Sequence, residues 1–202
     1  IEARTVGANV VLIEKNDAPG GTTAWSIGSF TATQTPHQIS GGIQDSTDAH
    51  FDDMPRFAGK DADRDNPGLR RLFVENAGDT LRWLMSMGVE FFGPMPEPPH
   101  TKPRMHNVLP NSRAYIKWLG QHAMRIGVDI RCGVRAEKFL TQGEKVTGIV
   151  ASSPDGSIEI AARATVLASG DYAANVDLKA KYVSEAVSRV DAMNPPRPAT
   201  DT

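Results

Sequence analysis

A single cysteine, Cys132, in 202 residues excludes an internal disulfide and a thiolate metal cage. Neither charge dominates: 22 basic and 24 acidic residues leave a formal net charge of −2. That balance lacks the basic footprint a nucleic-acid partner needs. No apolar run approaches the roughly 18 residues of a membrane span, and no repeat or low-complexity tract interrupts the chain. The five histidines (37, 50, 100, 106 and 122) follow no metal-ligand spacing. Trp25, Trp83 and Trp118 read as packing residues rather than a stacking platform. No signal-peptide pattern is visible. With 40% hydrophobic residues the chain can bury an ordinary core, and a reducing cytoplasm is the default compartment, with a periplasmic one compatible.

A different absence is more informative. The opening residues Ile1–Ala8 read as the last turns of a helix closed by Gly7, and Val10-Val11-Leu12-Ile13-Glu14-Lys15 reads as a buried strand ending in a carboxylate. In a dinucleotide-binding unit such a helix follows a strand and a GxGxxG turn, and neither is in this sequence. Past the strand come Gly20-Gly21-Thr22-Thr23, where glycines allow close backbone approach to a phosphate and threonines add hydroxyl donors. Taken alone, Glu14 is equally a solvated strand-end carboxylate, and the glycine pair equally a surface turn.

The remaining pattern orders the elements. Residues 39–66 are polar and predict short helices and turns. Leu69, Leu72, Phe73, Ala77, Leu81 and Leu84 fall at helical spacing, with Gly88 as the stop. Residues 93–110 hold six prolines and predict an irregular crossing. A helix is expected from Asn111-Ser112 to Arg125, then a strand over Val128–Arg131. A three-stranded meander follows, with turns at Gln142-Gly143-Glu144 and Pro154-Asp155-Gly156. Ala164–Ala168 reads as a further buried strand, and Val176–Met193 as a last helix broken by Asn194-Pro195-Pro196.

Glu14-Lys15, the loop from Gly20 to Gly28 and the late Val166-Leu167-Ala168-Ser169-Gly170-Asp171-Tyr172-Ala173-Ala174-Asn175 together resemble the FAD-binding family of fumarate reductase and succinate dehydrogenase flavoproteins. That family also contains the 3-ketosteroid dehydrogenases. The resemblance implies an α/β fold: a Rossmann-like FAD-binding domain with an antiparallel meander, lacking its first βα unit and its capping domain. Residues 1–202 would form that partial domain, with a helical and irregular insertion over about 39–127 and the junction to a capping domain at about 194–202.

By the same resemblance Glu14 serves the ribose, and Lys15 contacts the adenosine part by its backbone. Gly20, Gly21, Thr22 and Thr23 serve the pyrophosphate, while Ser26 and Gly28 pass beside the flavin. Ala136 offers backbone to adenine, and Ala168, Ser169 and Gly170 let the chain pass under the cofactor. Asp171 departs from the family's second glycine. His37 does not match the position of covalent attachment, so FAD is expected to bind non-covalently, with no metal. The implied reaction is hydride transfer between flavin and a carbon–carbon bond activated by a carbonyl or carboxylate. The partners expected are a small-molecule substrate and a protein electron donor or acceptor. Arg104, His106, Arg113 and Tyr115 are the catalytic candidates within the chain, each with packing as its plain alternative. The chain alone is expected to be inactive, its parent an FAD-dependent oxidoreductase. A 3-ketosteroid dehydrogenase and a non-catalytic truncated FAD-binding domain stand as alternatives.

Overall fold

In a computed structural model, residues 1–191 are described, and they fall into two units. The first comprises Ile1–Trp25 with the chain from Gly120 onward, and the second Ser26–Leu119.

The first unit starts with α1 (Glu2–Thr5), which ends at Gly7 as its sequence suggests. Arg4 holds this short helix in place, its Nε donating to the carbonyl of Ile126 at 2.9 Å. Next, β1 (Val11–Glu14) pairs in parallel with β5 (Asp129–Cys132), and the register sets Glu14 opposite Cys132. The strand β5 follows helix α6 (Arg113–Arg125), within which the boundary between the units falls. Then β6 (Arg135–Gln142), β7 (Lys145–Ser153) and β8 (Gly156–Ala161) form the antiparallel meander in that order. Its two-residue connections sit where the glycine-bearing turns were predicted. Ala151, in the second half of β7, is fully buried.

Three expectations for this unit are corrected. The strand β1 is not buried: Val11 and Leu12 are 41% and 42% exposed, and among the described residues β1 has β5 alone as a ladder partner. Residues 164–168 form no strand, and Val166 and Leu167 are 88% and 72% exposed. A buried parallel strand needs ladder partners for its backbone groups. Among the described residues the β1–β5 sheet has two strands, and 164–168 pairs with neither. The single last helix is two short ones, α7 (Val176–Tyr182) and α8 (Glu185–Ser188). Ser184 between them is extended, and its hydroxyl caps α8 by accepting from the Val187 amide. The expected end at Met193, the Asn194-Pro195-Pro196 break and the junction at 194–202 lie outside the described residues.

In the second unit a three-stranded sheet runs β2 (Ser29–Thr31), β4 (Met105–Leu109), β3 (Glu90–Met95), all antiparallel. Residues 93–110 are therefore not an irregular crossing. The prolines sit where the ladder does not need their missing N–H. Pro94 falls at the register shift between Phe92 and Met95, Pro96, Pro98, Pro99 and Pro103 lie in the connection, and Pro110 follows β4. Short helices α2 (Pro36–Ser40), α3 (Thr47–Asp53) and α4 (Pro55–Ala58) fill the polar stretch, with one 3-10 turn. The long helix α5 (Pro67–Ser86) starts on an Asn66 cap and buries Val74, Ala77, Leu81 and Leu84. Leu69, Leu72 and Phe73, read as part of that apolar face, stay exposed. No described helix is long and apolar enough to cross a membrane.

Candidate functional site

The end of β1 is built around the carboxylate of Glu14. Its Oε1 accepts two hydrogen bonds from Asn16, one from the backbone amide at 2.9 Å and one from Nδ2 at 2.8 Å. This fixes the plane of the carboxylate and leaves Oε2 outside both bonds. The backbone is held equally firmly: the Glu14 carbonyl accepts from the Val134 amide at 3.0 Å, and that of Asn16 from Gly133 at 2.9 Å. Ala136, two residues past Val134, is thereby placed on the exposed start of β6, opposite Ala151. Cys132 faces the same strand end, and burial, then the charges of Glu14 and Asp17, push its thiol pKa up. Lys15 is half-buried and has an interaction partner of its own.

The glycine loop forms the second part. Gly21 has φ +50°, and a Cβ built there meets no heavy atom within 4 Å. Thr22 and Thr23 open a short 3-10 turn, Thr22–Trp25. Thr22 Oγ1 donates to Asp171 Oδ2 at 2.8 Å, so the loop is tied directly to the turn at 168–171. Gly170 there has φ +89° and likewise open space at its Cβ position. Ala168 and Ser169 precede it as exposed backbone. Asp171 has no positive φ among the described residues' exceptions, so aspartate stands there without backbone strain. The amide of Ala173, and after it the Thr22 hydroxyl, lower its pKa against the opposing effect of burial.

These two parts carry the features a flavin dinucleotide requires. They combine an oriented carboxylate acceptor with glycine backbone exposed in left-handed conformations that no protein atom fills. The oriented acceptor and the open glycine cradle fit FAD.

Ser26 and Gly28 belong to the second unit. Gly28 is required there by packing: an added Cβ would lie 2.6 Å from Val108 Cγ1 and 2.9 Å from Ser112 Cβ. Tyr115 Oη donates to the Gly28 carbonyl at 2.8 Å, and burial pushes the Tyr115 pKa up to about 12. Ser26 is exposed and partnered.

The other catalytic candidates divide sharply. Arg104 is fully buried and grips Asp45 in a fork, Nε to Oδ2 and Nη2 to Oδ1, both at 2.7 Å. Its Nη1 donates to Asp53 Oδ2 at 2.6 Å. Burial raises the Asp45 pKa, but the hydrogen bonds led by Arg104 outweigh it and bring it down to about 2. Burial opposes the Asp53 shift too, yet bonds from Thr101 and Arg104 leave its carboxyl well below the ordinary range. His106 is also fully buried. Its Nδ1 lies 3.2 Å from the Phe30 carbonyl, an obligate acceptor, so Nδ1 carries the proton. Its Nε2 then accepts from Thr35 Oγ1 at 2.9 Å. Arg113, in the first turn of α6, is exposed and has a partner.

Sequence reasoning missed Asn16, Asp45, Asp53 and the buried His50. The spacing Glu14-x-Asn16 is a usable signal, since asparagine readily bonds back to a residue two positions away. The two aspartates lie 59 and 51 residues from Arg104 and carry no local signal.

A protein-family model described as "FAD binding domain" matches residues 1–199. An NADH:fumarate oxidoreductase of Klebsiella pneumoniae (strain 342) is 27% identical over 186 residues, covering 90% of this chain and 20% of that protein. A fumarate reductase (cytochrome) of Shewanella frigidimarina is 26% identical over 186 residues, covering 90% of this chain and 32% of that protein. Among solved structures, the open conformation of a flavocytochrome c3 fumarate reductase superposes with a TM-score of 0.81 at 26% identity, over 90% of this chain and 32% of that one. The chain thus spans between a fifth and a third of the curated relatives' length.

Proposed function

We propose, from the premise that this chain belongs to the FAD binding domain family, that it is the cofactor-binding part of a fumarate-reductase-like flavoprotein oxidoreductase. FAD, when bound, supplies hydride transfer to or from a carbon–carbon bond activated by a carbonyl or carboxylate. The chain's own residues bind and orient that cofactor. Glu14 accepts hydrogen bonds from the ribose hydroxyls through the oxygen that Asn16 leaves unused. Lys15 and Ala136 offer backbone to the adenosine end. Gly20, Gly21, Thr22 and Thr23 present backbone to the pyrophosphate, the Thr22 hydroxyl being engaged with Asp171 before the ligand arrives. Ala168, Ser169 and Gly170 let the chain run close beneath the cofactor.

The observation that carries this reading is the Thr22–Asp171 hydrogen bond, which brings the glycine loop and the 168–171 turn together in the unit that holds Glu14. Attachment is read as non-covalent because His37 does not match the family's attachment position. Arg104, His106 and Tyr115 are engaged within the fold and act as framework. Arg113, the one exposed side chain of the four, is the residue we assign to a substrate carboxylate. The parent acts on a small molecule and exchanges electrons with a redox protein.

The test is the visible spectrum of the intact purified protein, followed by anaerobic mixing of its reduced form with candidate acceptors. A flavin spectrum released by protein precipitation, with reoxidation by an unsaturated dicarboxylate, supports the reading. Reoxidation by an α,β-unsaturated 3-ketosteroid alone moves the assignment to the steroid dehydrogenase branch. A colourless protein that takes up no flavin refutes it.

A further inference from the structure

Asp171 sits where an anionic ligand is least served by a carboxylate. Its Oδ2 takes the hydrogen of Thr22 Oγ1 at 2.8 Å, and its Oδ1 that of the Ala173 amide at 2.9 Å. A threonine hydroxyl has one hydrogen to give. While Asp171 holds it, Thr22 offers lone pairs, not a donor, to anything else in the glycine loop. No Lys, Arg or His ion-pairs with Asp171 among the described residues. The carboxylate is half-buried, and its two hydrogen bonds keep it ionised at neutral pH. Gly21 and Gly170, on either side of the contact, both face open space.

We infer that Asp171 is a latch on the phosphate end of the cofactor site: it competes with the pyrophosphate for the Thr22 hydroxyl and sets an upper limit on FAD affinity. This rests on the assignment of the Gly20–Thr23 loop to the pyrophosphate. Binding requires the hydroxyl to rotate from carboxylate to phosphate, and two like charges to share one loop. Both costs fall on the phosphates and neither on the isoalloxazine ring. The latch therefore discriminates by ligand charge, weakening FAD and ADP while leaving riboflavin untouched.

The experiment compares the intact protein with Asp171→Asn and Asp171→Gly, titrated with FAD, ADP and riboflavin at low and high salt. Asparagine keeps the size and the acceptor oxygen but removes the charge, and thermal unfolding identifies whichever variant is folded. The latch predicts FAD and ADP binding tightened about tenfold in the variants, the gain shrinking as salt screens the repulsion, with riboflavin unchanged. Adding Thr22→Val to Asp171→Asn should remove the part of the gain that persists at high salt, where the hydroxyl rather than the charge carries it. Equal or weaker FAD binding in the variants overturns the latch while the flavoprotein assignment stands. An equal gain for riboflavin overturns it too, because the effect then does not act through phosphate. FAD binding by neither wild type nor variants overturns both.

Discussion

Asn16 places two donors on one oxygen of Glu14, its backbone amide at 2.9 Å and its side-chain amide at 2.8 Å. A carboxylate held this way has lost its rotational freedom before any ligand arrives, and its second oxygen points in a fixed direction. Asn16→Ala should keep the fold, because Asn16 is only half-buried, yet weaken FAD binding several-fold. The loss should be equal for FAD and ADP, since both carry the ribose. Calorimetric titration checks this, and an effect on FAD alone would place Asn16 elsewhere.

Arg104 should be a stability residue rather than a turnover residue. Removing it leaves Asp45 and Asp53 buried without their cation, and breaking a buried pair costs about 3–5 kcal/mol. Arg104→Ala should lower the denaturant midpoint by a corresponding amount. Arg104→Met, paired with Asp45→Leu and Asp53→Leu, should recover much of it. A fully stable Arg104→Ala variant that has lost turnover would contradict this role.

His50 supplies a pH signature. It is fully buried, neither ring nitrogen has a partner among the described residues, and burial lowers its pKa from 6.5 to about 4. Because the folded pKa is depressed, the unfolded chain takes up the proton first, so the contribution is complete above pH 6.5 and lost as pH falls toward 4. His100 and His106 shift in the same direction, chiefly by burial, and add to the loss that begins as pH falls below 6.5. Unfolding free energy should therefore drop on acidification, by at most about 1.4 kcal/mol per pH unit for each group. His50→Leu should flatten that slope and be no less stable at pH 7, because it removes two unsatisfied polar atoms. An unchanged slope would contradict the assignment.

Tyr115→Phe separates framework from chemistry. The hydroxyl donates to the Gly28 carbonyl, so its loss should cost about 1 kcal/mol of stability and change turnover less than tenfold. A loss of turnover by several orders of magnitude at unchanged stability would make Tyr115 a proton-transfer group instead.

What the sequence disclosed, and what it hid, follows from the range of each interaction. The meander was legible because Gly143 and Pro154-Asp155-Gly156 punctuate alternating strands. The place of Glu14 at the end of β1 was legible because an apolar run closed by a carboxylate reads as a strand, whereas the Thr22–Asp171 contact, across 149 residues, was not. The strands β3 and β4 were hidden by prolines that suggest disorder of the ladder while occupying its gaps. Residues 164–168 carry a strand's composition, but a strand is completed by its neighbours, which composition does not reveal. The Arg104–Asp45–Asp53 cluster was invisible for the same reason, its members lying more than 50 residues apart.

The most direct test is titration of the deflavinated intact protein with FAD, read by flavin fluorescence, beside Glu14→Ala. Saturable one-to-one binding is predicted for the wild type. In the variant, affinity should fall about 10- to 100-fold, the worth of a charge-assisted hydrogen bond, with the unfolding midpoint nearly unchanged. No saturable binding by the wild type, or equal binding by a folded Glu14→Ala, would contradict the account.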